Sequence, residues 1–287
     1  MMEATERGIG LRWSGISDVG RFRKNNEDAF LALVFDDKET RYLGKFGASG
    51  IDRGDFVFAV SDGMGGAKSG EFASKIAVEK ITRLLPKSLG MQAAKMESGA
   101  IDILAELFDQ IHQAVLDLGK YYEECRGMGA TLSLCWLTQE WMYFGHIGDS
   151  RIYFLPKGGE MKQITEDHTR VGMLFRQGLI NEREARSHPL RNTLMQVIGG
   201  GQKRIEPQFG RLHYSPGDRI LLCSDGLTDG LRDHKIQDFC RSDNQNGELR
   251  IAELVRESIA ESGRDNTTAL LVEILESGKE NQTFLPR

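Results

Sequence analysis

The sequence predicts an α+β protein, with packed antiparallel β-sheets inside and α-helices outside. Apolar runs of strand length are numerous and rich in β-branched and aromatic residues. Helical periodicity is confined to a few segments that do not alternate with strands as βαβ units require, which disfavours a doubly wound parallel sheet. Consecutive strands around residues 129–165 are so closely spaced that they must form antiparallel hairpins.

Taken in chain order, the first expected strands are Ala29–Phe35 and Phe56–Ser61, with a Gly- and charge-rich loop at 36–55 between them. Helical spacing follows at Glu71–Leu85, where Phe72, Ala73, Ile76, Ala77, Ile81, Leu84 and Leu85 recur and Pro86 reads as a stop. Ile101–Leu118 repeats the pattern through Leu104, Leu107, Phe108, Ile111 and Val115. A meander of Thr131–Leu137, Trp141–Ile147 and Arg151–Leu155 comes next. Glu166–Pro207 is polar, Arg-rich and poor in strand signal, with helical stretches such as Val171–Leu179. It reads as a lid over the meander, too short for a core of its own. Strands at Phe209–Tyr214 and Arg219–Ser224, a helix at Leu249–Glu261 and a strand at Thr267–Ile274 close the chain. One domain is expected over 13–276, between tails at 1–12 and 277–287.

The 37 Lys and Arg against 42 Asp and Glu leave a net charge of -5, which argues against a generic nucleic-acid or anionic-membrane binder. No apolar run approaches the length of a membrane span, and the start, MMEATERGIGLRW, lacks the apolar core of a signal peptide. A cytoplasmic location is the expectation. Cys125, Cys135, Cys223 and Cys240 show no CxxC spacing and read as reduced core cysteines, and no HExxH points to zinc. Glycine is in excess, 33 where average usage of ~7% gives about 20. Many of these glycines adjoin acidic residues.

That adjacency recurs at strand ends. Phe56–Gly63 and Arg219–Gly226 are both apolar strands running into Ser-Asp-Gly, at Asp62 and Asp225. Gly148-Asp149 ends a third strand, Asn26-Glu27-Asp28 precedes a fourth, and Asp265-Asn266 precedes the last. Strand ends fix where these side chains point, and the following glycines allow close backbone approach. Converging carboxylates raise one another's pKa unless a cation neutralises them, and an all-oxygen set suits Mg²⁺ or Mn²⁺. Arg23, four residues before Glu27, is the candidate for gripping an anionic group.

With these residues in place, the chain resembles the metal-dependent protein phosphatase (PPM, type 2C) family of serine/threonine phosphatases in its bacterial form. The resemblance spans Gly15 to Ile274, with motifs in the family's order. They are Asp18-Val19-Gly20 leading to Arg23 and Asn26-Glu27-Asp28, Asp62-Gly63-Met64-Gly65-Gly66, Gly127-Met128-Gly129-Ala130-Thr131 and Gly148-Asp149-Ser150-Arg151. Thr165-Glu166-Asp167-His168, Ser224-Asp225-Gly226-Leu227 and Arg264-Asp265-Asn266 follow.

The resemblance implies a four-layer α-β-β-α sandwich with a variable helical flap at about 167–207, and hydrolysis of phosphoserine and phosphothreonine by hydroxide held between two Mg²⁺ or Mn²⁺ ions. By the same resemblance, Asp62 bridges the ions, Asp225 and Asp265 hold one, and Glu27 with the Gly63 carbonyl holds the other. Asp28 holds the water, Arg23 grips phosphate, and Asp149 with Asp225 and Asp229 takes a weaker third ion. The implied partner is a phosphorylated protein, a cognate kinase or its target, acted on by a monomer without nucleic acid or membrane. A non-catalytic phosphoprotein scaffold and a small-molecule phosphoesterase are the alternatives. Met64 stands where some members carry a histidine proposed as general acid, so a metal-bound water or another group must protonate the leaving oxygen. In the flap, Arg170, Arg176, Arg183, Arg186 and Arg191 read as a solvated basic face, with phosphopeptide contact as the alternative.

Overall fold

A computed structural model describes residues 8–36, 38–65, 69–92, 99–242 and 247–276. The chain runs through β1 (Ile9–Asp18), β2 (Asp28–Phe35), β3 (Thr40–Tyr42), β4 (Phe46–Gly50) and β5 (Asp55–Met64). Two long helices follow, α1 (Ser69–Gln92) and α2 (Gly99–Tyr121). The meander is β6 (Gly129–Ala130), β7 (Leu132–Leu137), β8 (Trp141–Ile147), β9 (Arg151–Leu155) and β10 (Lys162–Gln163). The flap carries α3 (Arg170–Arg176) and α4 (Glu182–Ser187) and returns through β11 (Ile198–Gly199). Then come β12 (Gln208–His213), β13 (Arg219–Cys223), α5 (Asp225–Gly230), α6 (Asp233–Arg241), α7 (Gly247–Glu261) and β14 (Thr267–Glu276).

Two antiparallel sheets result. One is ordered β10-β9-β13-β14-β1-β4; the other follows β11-β6-β5-β7-β8-β12, with β2 and β3 joined through β5. The apolar runs are continuous because their strands are buried on both faces. In β5, Phe56, Phe58 and Val60 point between the sheets, where they meet Trp13, Ile220, Leu222, Leu270 and Val272. Val57 and Ala59 point outward, under Ile81, Leu104, Phe108 and Ile111 of α1 and α2. On the other sheet, Leu221 and Leu271 face Leu227, Ile236, Ile251 and Leu254 of α5, α6 and α7. These three cores make the expected four layers.

Four sequence expectations change. Ile9–Arg12 do not belong to a tail: β1 begins at Ile9 and lies between β14 and β4, in register from Ile9↔Glu276 to Asp18↔Thr267. Residues 36–55 are not all loop, because Phe46–Gly50 forms β4 against β1. That strand is nearly bare of side chains because the Trp13 indole covers it; a Cβ on Gly47 would overlap the ring. Helix α1 continues past Pro86 to Gln92. Proline removes one helical hydrogen bond, but packing of Ile81 and Leu85 against the sheet anchors the preceding turns. Helices α5 and α6 were not foreseen. The expected tail 277–287 lies outside the described residues, among which no helix is long and apolar enough to cross a membrane.

A buried ionic cluster ties α7 to the six-stranded sheet. Glu273 of β14 accepts from Arg250 of α7 at 2.7 Å and from Arg12 of β1 at 2.8 Å, with Arg219 at 3.5 Å. Although burial opposes its charge, these arginines hold its pKa below the ordinary 4.5. Glu273→Gln should cost about 3–5 kcal/mol, since it removes the charge that faces the buried Arg250 guanidinium. A depressed carboxylate stabilises fully above its unfolded pKa and loses that contribution as pH falls through the folded value. The gap between wild type and variant in urea unfolding should therefore be full at pH 7 and narrow below 4.5; a gap unchanged with pH contradicts the assignment.

Candidate metal centre

At one end of the sandwich, strands of both sheets bring acidic residues together. Antiparallel pairing of β2 with β5 sets Asp28 opposite Asp62. From the other sheet, β13 runs into Ser224 and Asp225, and Asp265 stands just before β14. The sheets are joined here by a buried hydrogen bond: Ser224 Oγ donates to Asp28 Oδ2 at 2.6 Å while accepting from the Thr268 amide at 3.0 Å.

The backbone around Glu27 is clamped from three sides. Its amide donates to Asn266 Oδ1 at 2.8 Å, and its carbonyl accepts from Gly63 N at 3.1 Å and Ser74 Oγ at 2.6 Å. The buried Asn266 amide also donates to Val19 O and Asn25 O, both at 3.0 Å, so one side chain holds the loop carrying Arg23 and Glu27. Gly63 is required by contact: a Cβ there would overlap the Gly70 carbonyl oxygen at the start of α1.

Asp149 occupies the turn between β8 and β9. A chain of hydroxyls links it to Asp62, whose amide donates to Thr131 Oγ1 at 2.9 Å; that atom lies 2.6 Å from Ser150 Oγ. Asp229, one turn along α5 from Asp225, pairs with Arg191 at 3.5 Å. A cavity of about 1020 Å³ opens between the flap, α5 and α7, with Asp149, Asp225 and Asp229 in its lining.

The electrostatics show what the cluster lacks. Burial, reinforced by neighbouring carboxylates, pushes Asp62 and Asp225 well above the usual range. Burial raises Asp28 to about 6, and burial with the charge of Asp167 raises Asp149 to about 7. Arg23 is drawn to the cluster. Burial works against its charge, but its hydrogen bond to Asp265 at 2.6 Å and the charges of Glu27 and Asp62 raise its pKa. Arg23, with Arg191 on Asp229 and Arg151 near Asp149, still leaves the carboxylates in excess.

Asp28 Oδ1 and Asp225 Oδ1 are buried without a hydrogen-bond partner. A carboxylate oxygen can be satisfied by a donor or a cation, and such orphans are costly in its absence. Asp225 Oδ1 fits a hard divalent ion directly, and Asp28 Oδ1 fits a water held by one. Among the described residues no three His, Cys, Asp or Glu side chains close tightly enough to grip an ion alone. Mg²⁺ sites commonly use one or two carboxylates and complete their shell with water, so the open arrangement still fits.

All nine residues singled out in the sequence occur at this end of the molecule. Arg23, Glu27, Asp28, Asp149, Asp225 and Asp265 gather around Asp62; Asp229 stands beyond Asp225, and Gly63 follows Asp62 directly. Two flap arginines differ from the expected solvated face. Arg186 donates to Thr228 O and Leu231 O, and Arg191 holds Asp229, while Arg170, Arg183 and Arg176, which pairs with Glu166, are exposed. The supporting roles of Asn266, Ser224 and Thr131 escaped sequence reasoning, although each sits inside or beside a recognised motif.

Comparison with known proteins identifies the family and the fold. The family described as Protein phosphatase 2C matches residues 45–276. Protein phosphatase PhpP of Streptococcus pneumoniae is 32% identical over 92% of this chain and 98% of its own length. The S. agalactiae serine/threonine phosphatase structure superposes with a TM-score of 0.78 at 27% identity, covering 93% of this chain and all of that one. The catalytic domain of serine/threonine protein phosphatase PstP, solved with two manganese ions, gives 0.73 at 27% identity, covering 93% and 100% of the two chains. A sandwich ending in a divalent-cation site defines the class, and the chain belongs to the protein phosphatase 2C family. It is a metal-dependent protein phosphatase.

The raised carboxylates give a pH test. In the ion-free protein the folded state holds protons on Asp28 and Asp149 that the unfolded chain releases near 3.8, so stability falls as pH rises toward about 7. Mn²⁺ should therefore raise Tm more at pH 8 than at pH 5, where it must displace protons. Thermal melts with Mn²⁺ and with EDTA check this; an equal rise at both pH values contradicts it.

Proposed function

We propose that the protein hydrolyses phosphoserine and phosphothreonine in a protein substrate with two Mg²⁺ or Mn²⁺ ions. The observation that carries the reading is the pair of buried, unpartnered carboxylate oxygens, one from each sheet, within a cluster short of positive charge. Asp62, Glu27, the Gly63 carbonyl, Asp225 and Asp265 would hold the two ions. Asp149, Asp225 and Asp229 are assigned to a third, weaker ion. When bound, the ions acidify a water and spread the negative charge of the phosphoryl group.

The chain's own groups do the rest. Ser224 occupies Asp28 Oδ2 and leaves Oδ1 as the acceptor that orients the attacking water and takes its proton. Arg23 exchanges Asp265 for two phosphate oxygens, a match for its planar fork. The water attacks phosphorus opposite the serine or threonine oxygen, which leaves as it gains a proton. Met64 is exposed and has no proton to give, so the leaving oxygen takes its proton from solvent at the open face of the site.

The reading includes a monomer that opposes a serine/threonine kinase. Four free cysteines support a reducing, cytoplasmic setting. Release of phosphate from a phosphothreonine peptide should require Mg²⁺ or Mn²⁺ and stop with EDTA. Asp62→Asn and Asp265→Asn should each lower kcat/KM by about 10²–10³-fold or more, the usual loss for an electrostatic group at the reacting centre. Near-normal turnover by either variant, or turnover in excess EDTA, overturns the assignment.

A further inference from the structure

The turn bearing Asp149 is held by its neighbours on both sides. On one side, Ser150 Oγ lies 2.6 Å from Thr131 Oγ1, and the Ser150 carbonyl accepts from Ser133 Oγ at 3.0 Å. On the other side the anchor comes from the stem of the flap. The Gly148 amide donates to His168 Nδ1 at 3.2 Å, and the His168 amide donates back to the Gly148 carbonyl at 2.7 Å. Gly148 adopts φ +109, and a Cβ there would press into Thr131, so the turn sits tightly on the end of β7.

The same histidine closes the flap stem, because its carbonyl accepts from the Met195 amide at 2.7 Å, beside the bridge between Thr169 and Leu194. Beneath it lies His146, fully buried, with ring centroids 5.0 Å apart. His146 spans Ser133 Oγ at 2.9 Å and the Glu166 carbonyl at 3.1 Å, which joins β7 to the same stem. Thus two imidazoles, tilted 42° to one another, sit between the sheet end and the flap, and the outer one is bonded to the Asp149 turn.

We propose that His168 is a positioning residue: as an acceptor at Nδ1 it fixes the Gly148–Asp149 turn against the flap stem, so that Asp149 is set to receive a divalent ion. The inference rests on the assignment of Asp149 to the weaker ion. His168 touches neither ion nor substrate and acts through the Gly148 amide. That role requires the imidazole to carry its proton on Nε2, leaving Nδ1 free to accept.

Mn²⁺ binding, followed by calorimetry and by the Mn²⁺ electron paramagnetic resonance signal, tests this in four proteins: wild type, Asp149→Asn, His168→Ala and His168→Asn. Asparagine keeps an acceptor oxygen close to the position of Nδ1; alanine removes it. Asp149→Asn should lose the weakest ion. His168→Ala should weaken that ion by about 10–100-fold, the usual effect of removing a group that orients a ligand, and leave the tighter ions in place. His168→Asn should restore affinity to near wild type. Wild-type binding by His168→Ala overturns the proposal, and so does equal weakening in the Ala and Asn variants, which would mean that ring bulk matters and the acceptor does not. If His168→Ala fails to fold, His168→Phe, which keeps a ring without an acceptor, replaces it. If Asp149→Asn binds every ion normally, the assignment of Asp149 itself has failed and the inference falls with it.

Discussion

Like charges buried together at the junction of two sheets are the constraint on which this structure depends. Asp28 and Asp62 come from one sheet, and Asp225 and Asp265 from the other. Packing the sheets face to face removes water from between them and raises several pKa values together. The hydrophobic energy of the inter-sheet core, with Phe56, Phe58, Trp13 and Leu270 at its centre, sustains that unfavourable assembly. An ion-binding end is thus the electrostatic counterpart of an apolar middle.

Neutral hydrogen bonds then fix the geometry without adding charge. Ser224 bridges the sheets through Asp28, Asn266 clamps the Glu27 loop, and Thr131 links Asp62 to the Asp149 turn. Had lysines or arginines done this work, they would have neutralised the carboxylates and removed the demand for a cation. Arg23 is half-exposed and bonded to Asp265 at the rim, which leaves it able to change partners. On the proposed assignment, positioning by hydroxyls and amides and ion binding by carboxylates are separate tasks, carried by different residues.

Much of this was legible in the sequence because strand burial writes itself as continuous apolar runs, and a buried strand ending in Asp-Gly announces where a carboxylate is delivered. Less visible were features set by partners far along the chain. Strand β4, Phe46–Gly50, is a strand because Trp13 covers it, and its residues alone read as loop. Helix α1 outlasts Pro86 because packing elsewhere on the helix outweighs one lost bond. Arg23 and Asp265 pair across 242 positions, and Ser224 and Asp28 across 196, so neither contact leaves a local trace. The flap arginines read as a solvated face, since their partners Glu166, Asp229 and the end of α5 are brought near only by the fold.

The central claim, that carboxylates of both sheets share divalent ions at this junction, is tested most directly by anomalous diffraction at the manganese edge from crystals grown with Mn²⁺. The account predicts two strong peaks flanking Asp62, one beside Glu27 and the Gly63 carbonyl and the other beside Asp225 and Asp265. A map with no peak at this junction, or with manganese bound only elsewhere on the molecule, would contradict it.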